Sequence, residues 1–273
     1  MTNSTHRSGS GKGLAIATLA TIFITIIVTQ ILNIVPPPGG ELVAKLASGE
    51  LNGVLILPAN YAFAIWGFIY IGIIAYGFYQ LQPARREDPR IQRVNVLLIT
   101  SCIAQMLWMV LFPLRLYGIS ILAMLGLLIP LIGIYLTLDI GKSRADRKAR
   151  WSARIPFSTY LAWISVATIV NVASALYRAE WNGWGLSSPA WTVVMLIVGA
   201  VIAAVVALQR ADTAFVAVFV WAYIAIAIRR ADMPLIWGTA AAAAAVMLIL
   251  LAVGRSRRPA IRESTPDRST TRV

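Results

Sequence analysis

Tyr160, Trp163, Ala167 and Asn171 recur at helical spacing inside a long apolar run, Tyr-Leu-Ala-Trp-Ile-Ser-Val-Ala-Thr-Ile-Val-Asn over 160–171. At about 100° per residue they fall within roughly 80° of one another. The stripe places a phenol, an indole, a small gap and an amide where an unpaired polar group in hydrocarbon costs several kcal/mol, so it must face protein or a ligand. Two more stripes have the same character: Phe63, Trp66, Tyr70 and Gly77, and Ser101, Gln105, Trp108 and Phe112. Their chemistry is recognition. Indoles and phenols with one or two amides suit a flat, largely apolar small molecule, held by stacking and oriented by a few hydrogen bonds. The same residue types also serve as interhelical packing and hydrogen-bonding groups, each worth about 0.5 to 2 kcal/mol. Periodicity alone does not separate the two readings.

Other chemistries lack their residues. The one histidine, His6, lies in a polar tail, the one cysteine, Cys102, lies inside a span, and no carboxylate falls near the middle of a span. An intramolecular disulfide, a membrane zinc site, a His-ligated haem and a carboxylate proton relay are therefore excluded. No nucleophile–base pair supports ordinary enzymology, no covalent cofactor is expected, and the last three spans have no Lys for a retinal Schiff base.

The elements that must position these stripes are membrane helices. Hydrophobic residues make up 59% of the chain and charged ones 13%, in long apolar blocks. This composition predicts an all-α integral membrane protein. Eight spans are expected, at about 13–35, 58–81, 94–114, 119–138, 155–176, 190–208, 213–228 and 233–253. Residues 1–12 read as a disordered cytoplasmic tail and 255–273 as a disordered basic tail attracted to anionic lipid. The net charge of +13 reads as a topology signal and not as a nucleic-acid footprint, because the charges sit in loops and tails. Of 24 Lys and Arg, all but Lys45, Arg115, Arg178, Arg229 and Arg230 fall on the side of the N-terminus, which places both termini in the cytoplasm and the protein in the cytoplasmic membrane. Arg229 and Arg230 are the exception on the outer side, expected to pair with Asp232 or to mark an anionic contact. Trp181, Trp184 and Trp191 read as an interfacial belt. The small-residue run Ala240 to Ala245 is a packing face compatible with a homodimer.

The 160–171 segment resembles the fifth-helix signature of the translocator protein family, also called tryptophan-rich sensory proteins or peripheral benzodiazepine receptors. The matching positions are Tyr160, Leu161, Trp163, Ala167, Thr168 and Asn171, with Thr159 in place of the usual Pro. Pro58, Phe63, Trp66 and Tyr70 resemble the start of the family's second helix, with Tyr61 where a Trp is usual and Ala59 where a second Pro is usual. Trp108 and Phe112 match its third helix, with Gln105 in place of Asn and Ser101 in place of Gln. The resemblance covers about residues 13–177.

That resemblance implies a five-helix core over 13–180, with three additional helices over 181–254. It further implies a pocket under the loop 36–57, acting as a lid, that takes porphyrins and related tetrapyrroles, and sterols in some members. The residues expected at the ligand are Tyr61, Phe63, Trp66, Tyr70, Gln105, Trp108, Phe112, Tyr160, Trp163, Ala167 and Asn171, with Ala167 marking a close helix contact. Light-dependent porphyrin breakdown, with Trp66, Trp108 or Trp163 as electron donors, comes with the same resemblance. Two functions stay open: a receptor or sensor for a tetrapyrrole-like ligand, and a transporter or facilitator of small amphipathic molecules. The partners expected are a small hydrophobic ligand and membrane lipids.

Overall fold

Prolines and short polar residues set several helix starts. Asp88 accepts the Arg90 N–H at 2.8 Å ahead of Pro89, Ser187 accepts the Ala190 N–H, and Asp212 accepts those of Ala214 and Phe215. Each satisfies backbone donors that a helix start leaves orphaned. The computed structural model describes residues 5–257, with side chains from residue 11. Within it run α1 (Thr5–Leu32), α2 (Ile65–Gln80), α3 (Pro89–Leu111), α4 (Tyr117–Thr137), α5 (Ile155–Arg178), α6 (Ser188–Arg210), α7 (Thr213–Arg229) and α8 (Pro234–Ser256). Among the described residues seven helical stretches are long and apolar enough to cross a membrane, and α7 is a shorter apolar helix of 17 residues. This is an all-α integral membrane fold.

Three boundaries differ from expectation. Helix α1 begins at Thr5, ahead of residue 13, and only residues 1–4 of the expected N-terminal tail lie outside the described residues; from 258 onward the C-terminal tail does too. The second span is helical only from Ile65, after a 3₁₀ turn Asn60–Ala64. Backbone groups before it bond to α7 instead: Ala59 N–H donates to the Ala225 carbonyl at 3.1 Å, and the Trp221 indole donates to the Ala62 carbonyl at 3.1 Å. Ahead of α5, residues expected in a loop are helical through Arg147–Ala149 and a π turn Arg150–Arg154.

Helices α1 to α5 close into a ring in the order α2, α1, α3, α4, α5 and back to α2. Small residues allow the close approaches. A side chain on Gly77 would meet Leu19 of α1 at 2.6 Å, and one on Gly72 would meet Pro156 at 2.8 Å. Gly77 thus belongs to the contact with α1, although it shares a sequence stripe with Trp66 and Tyr70. More than half of the apolar window of α5 is buried, the largest share of any span.

Helices α6, α7 and α8 pack on one another, and α7 docks this trio onto α5. The buried faces of α6 and α8 are rich in small residues, Ala203 and Ala207 against Ala240, Ala244 and Gly254, so part of the Ala240–Ala245 run is used inside the chain. The α6–α7 joint is two residues, Ala211 in the left-handed conformation and Asp212. The buried Asp212 carboxylate also accepts the Tyr135 hydroxyl of α4 at 2.9 Å and the Ser158 hydroxyl of α5 at 2.5 Å. One carboxylate therefore caps α7 and fastens it to two helices of the ring.

Candidate functional site

Helices α2 and α3 stand across the ring and meet at one end through side chains. Tyr76 donates to Asn95 at 2.6 Å, Asn95 donates to Gln80 at 2.9 Å, and Gln80 donates to the Ala15 carbonyl of α1 at 2.8 Å. Toward the opposite end, under the loop before α2, the ring opens into a cavity of about 470 Å³, within the range of small-molecule pockets. Two aromatic pairs, each at i and i+4, flank the gap. Trp66 stacks on Tyr70 along α2 (centroids 5.4 Å apart, planes 29° apart), and Trp108 stacks on Phe112 along α3 (4.9 Å, 28°). Phe63 meets Trp163 edge to face at 5.6 Å.

Of the residues singled out from sequence, Phe63, Trp66, Tyr70, Gln105, Trp108, Trp163 and Ala167 line this cavity. Phe112 and Asn171 line a small annex of about 60 Å³, which shares Phe63, Trp108, Trp163 and Ala167 with the main chamber. Tyr160 stands behind the wall: fully buried, it donates a short hydrogen bond to Gln105 and meets Trp66 edge to face at 6.0 Å. Asn171 accepts the Trp108 indole N–H at 2.6 Å and donates to Ser120 at 3.1 Å. Tyr61 does not reach the cavity; its ring packs on Trp221 of α7 at 5.1 Å. Ser101 is buried and turned to the Leu97 carbonyl.

Sequence reasoning missed Gln30 on α1, Asn33 just after it, Asn60, and Met109, Met124 and Leu127. Gln30 and Asn33 lie in the last turn and a half of the first span and share no aromatic stripe. The polar type alone, late in an apolar span, was the available signal.

The loop over the cavity carries a short helix, Val43–Ser48, whose Val43, Ala44 and Ala47 form its roof. The loop is tied down on two sides. At the α3–α4 turn, Glu50 accepts a short hydrogen bond from Tyr117 and one of 3.0 Å from Arg115. Burial alone would raise the Glu50 carboxyl; hydrogen bonds from Tyr117 and Arg115, with the charges of Arg115 and Arg178, outweigh it and hold the group below its ordinary value. At the end of α7, Arg229 donates to the carbonyls of Pro58 (3.1 Å) and Ala47 (2.7 Å), and Arg230 to those of Asn52 (2.7 Å), Val54 (3.0 Å) and Leu55 (3.2 Å). Neither arginine makes the expected ion pair with Asp232 among the described residues, although the Asp232 charge favours the Arg230 cation. A guanidinium carries five donors in a rigid fork, and the turns of this loop present carbonyls that no helix satisfies.

A second cleft of about 560 Å³ lies at the same end, between residues 53–56, the end of α5 and the start of α6. Trp181, Trp184 and Trp191 form a mutual cluster beside it, with centroids 4.9 to 5.8 Å apart. Its rim carries Arg178, Glu180 and Asn182, all exposed, whereas the ring cavity has no charged residue in its wall, only aromatic and aliphatic groups with four uncharged amides. The ring cavity is the better site for an apolar ligand. Among the described residues no group of His, Cys, Asp and Glu could hold a metal ion.

Residues 15–253 match the family model described as TSPO-like protein. No curated protein and no solved structure matches the chain. The match runs past residue 177, where the resemblance read from motifs stopped, and takes in α6, α7 and α8. With a match over most of its length, the chain belongs to the TSPO-like protein family, and that membership supports a membrane sensor- or transporter-type role in general.

Proposed function

We propose that this protein is a membrane receptor or sensor that binds a tetrapyrrole or a similarly flat, apolar ligand in the ring cavity, with both termini in the cytoplasm. The observation that carries this reading is a cavity of about 470 Å³ lined by Trp66 and Tyr70, stacked along α2, and by Trp108 of α3, which stacks on Phe112 of the annex. A planar macrocycle gains stacking from such walls without needing a charged partner. Among the described residues the indole N–H groups of Trp108, Trp191 and Trp221 have protein acceptors, while those of Trp66 and Trp163 have none, which leaves two donors for the ligand's acceptors. The fastened lid favours a binder over a carrier, since alternating access needs a moving element.

Titration of the purified full chain with protoporphyrin IX, following Trp quenching and the Soret band, tests the proposal. Saturable binding, weakened about tenfold or more (about 1.4 kcal/mol) by Trp163→Phe or Gln105→Ala, is the expected result. Non-saturable partitioning, identical in all three proteins, would overturn it. Flux of the ligand across sealed vesicles would move the transporter reading to the front.

A further inference from the structure

On the outer surface of the bundle, a concave apolar groove of about 410 Å³ runs between α2, the start of α5 and α7. Phe68, Gly72, Trp151, Thr159, Ala217 and Trp221 define it. Its depth comes from small residues: Gly72 sits where a side chain would strike Pro156, and Ala217 is exposed on the α7 wall. Along α2 it extends from Ile65 to Ala75, roughly 15 Å of helix, about the hydrocarbon depth of one leaflet. The groove exists because α7 is docked against the ring.

A basic stretch of sequence leads into the groove. Trp151, 61% exposed, lines it, and Lys148 and Arg147 precede that residue by three and four positions, in the short helix that runs into the π turn. Arg150 adjoins Trp151. All three cations are exposed, and none makes an ion pair among the described residues. The acid nearest in sequence, Asp146, is occupied by Arg85 at 3.0 Å and by the Ala149 N–H. Arg154 is occupied by the Ser143 carbonyl and hydroxyl. In a bilayer a flat apolar helix face meets any lipid equally, so selectivity requires shape and headgroup charge together. This groove has both.

We propose that it is a binding site for an anionic phospholipid, one acyl chain lying between α2 and α7 and the phosphate-bearing headgroup held by Arg147, Lys148 and Arg150. The lipid then bridges the ring and the added helices. The site is separate from the ring cavity, so it stands or falls independently of the ligand assigned there.

Native mass spectrometry of the full chain in detergent, with phosphatidylglycerol or phosphatidylcholine added, tests it. Phosphatidylglycerol should bind at least tenfold tighter than phosphatidylcholine. Ala217→Phe, which fills the groove from an exposed position, should abolish that binding, whereas changing Arg147, Lys148 and Arg150 together to Gln should reduce it to the phosphatidylcholine level. With no variant involved, phosphatidylglycerol brominated in its acyl chain should quench the tryptophan fluorescence of the wild-type chain at a lower lipid concentration than brominated phosphatidylcholine does. Equal affinity for the two lipids, retention by Ala217→Phe in a folded protein, or equal quenching would overturn the proposal.

Discussion

The indole N–H of Trp108 on α3 lies 2.6 Å from the side-chain oxygen of Asn171 on α5. The two helices are not neighbours in the ring; α4 stands between them. The bond fixes the plane of the indole that walls the cavity, and Ser120 of α4 completes the arrangement by accepting from the Asn171 amide. Asn171→Leu leaves the Trp108 donor unpaired, a cost of about 1 to 3 kcal/mol. A lower thermal transition and an at least tenfold weaker protoporphyrin IX affinity are expected, measured by melting and by Soret titration. An unchanged affinity would place the indole outside the ligand's contacts.

Ala167 belongs to both the main chamber and the annex. Ala167→Leu inserts volume at their junction, so affinity for a bulky macrocycle should fall while the melting temperature changes little. Parallel titration and melting separate the two effects.

Arg229 and Arg230 reach across from α7 to the loop that roofs the cavity. Replacing both with Met removes the donors to five backbone carbonyls. Amide exchange in residues 44–57 should speed up by an order of magnitude or more, with a faster ligand off-rate and little change in the ring helices. Hydrogen-exchange mass spectrometry resolves the loop from the rest.

Glu50 fastens the other side of the same loop. Its carboxyl lies below its ordinary value in the folded protein, so its contribution is fully present above the unfolded value, about 4.3, and is lost as pH falls through the lower folded value. Loop exchange, corrected for its intrinsic pH dependence, should therefore be flat from pH 8 to 5 and accelerate below about pH 4. Glu50→Gln should show the loose loop already at pH 7.

Asp212 joins α7 to the ring. Asp212→Ala removes the cap of α7 and leaves the Tyr135 and Ser158 hydroxyls without that acceptor. A loss of about 2 to 4 kcal/mol is expected, read as a lower thermal transition. Because α7 carries Arg229 and Arg230, the loop should loosen in the same variant.

Residue order alone determined the class of this protein, the number of apolar helices and the aromatic part of the cavity wall. Trp66, Tyr70, Gln105, Trp108, Trp163 and Ala167 stood out as stripes before any fold was known, because aromatic and amide groups at helical spacing inside an apolar run must face protein or a ligand, and the family resemblance chose the ligand over plain packing. Tertiary structure decided what periodicity cannot carry: which neighbour each face meets. Gly77 shares its stripe with Trp66 and Tyr70 yet packs on Leu19 and Ile22 of α1, since a stripe fixes an angle about one helix axis and not the height at which the ring opens. Tyr61 lies four residues ahead of the start of α2 at Ile65, in a segment held by bonds to Ala225 and Trp221, more than 150 residues away. Arg229 and Arg230 read as charges in search of an acid, because sequence shows side chains and hides the loop carbonyls left without helical partners. Those carbonyls come within reach of α7 only once the loop is folded over the cavity, so the link between α7 and the loop is a property of the assembled chain.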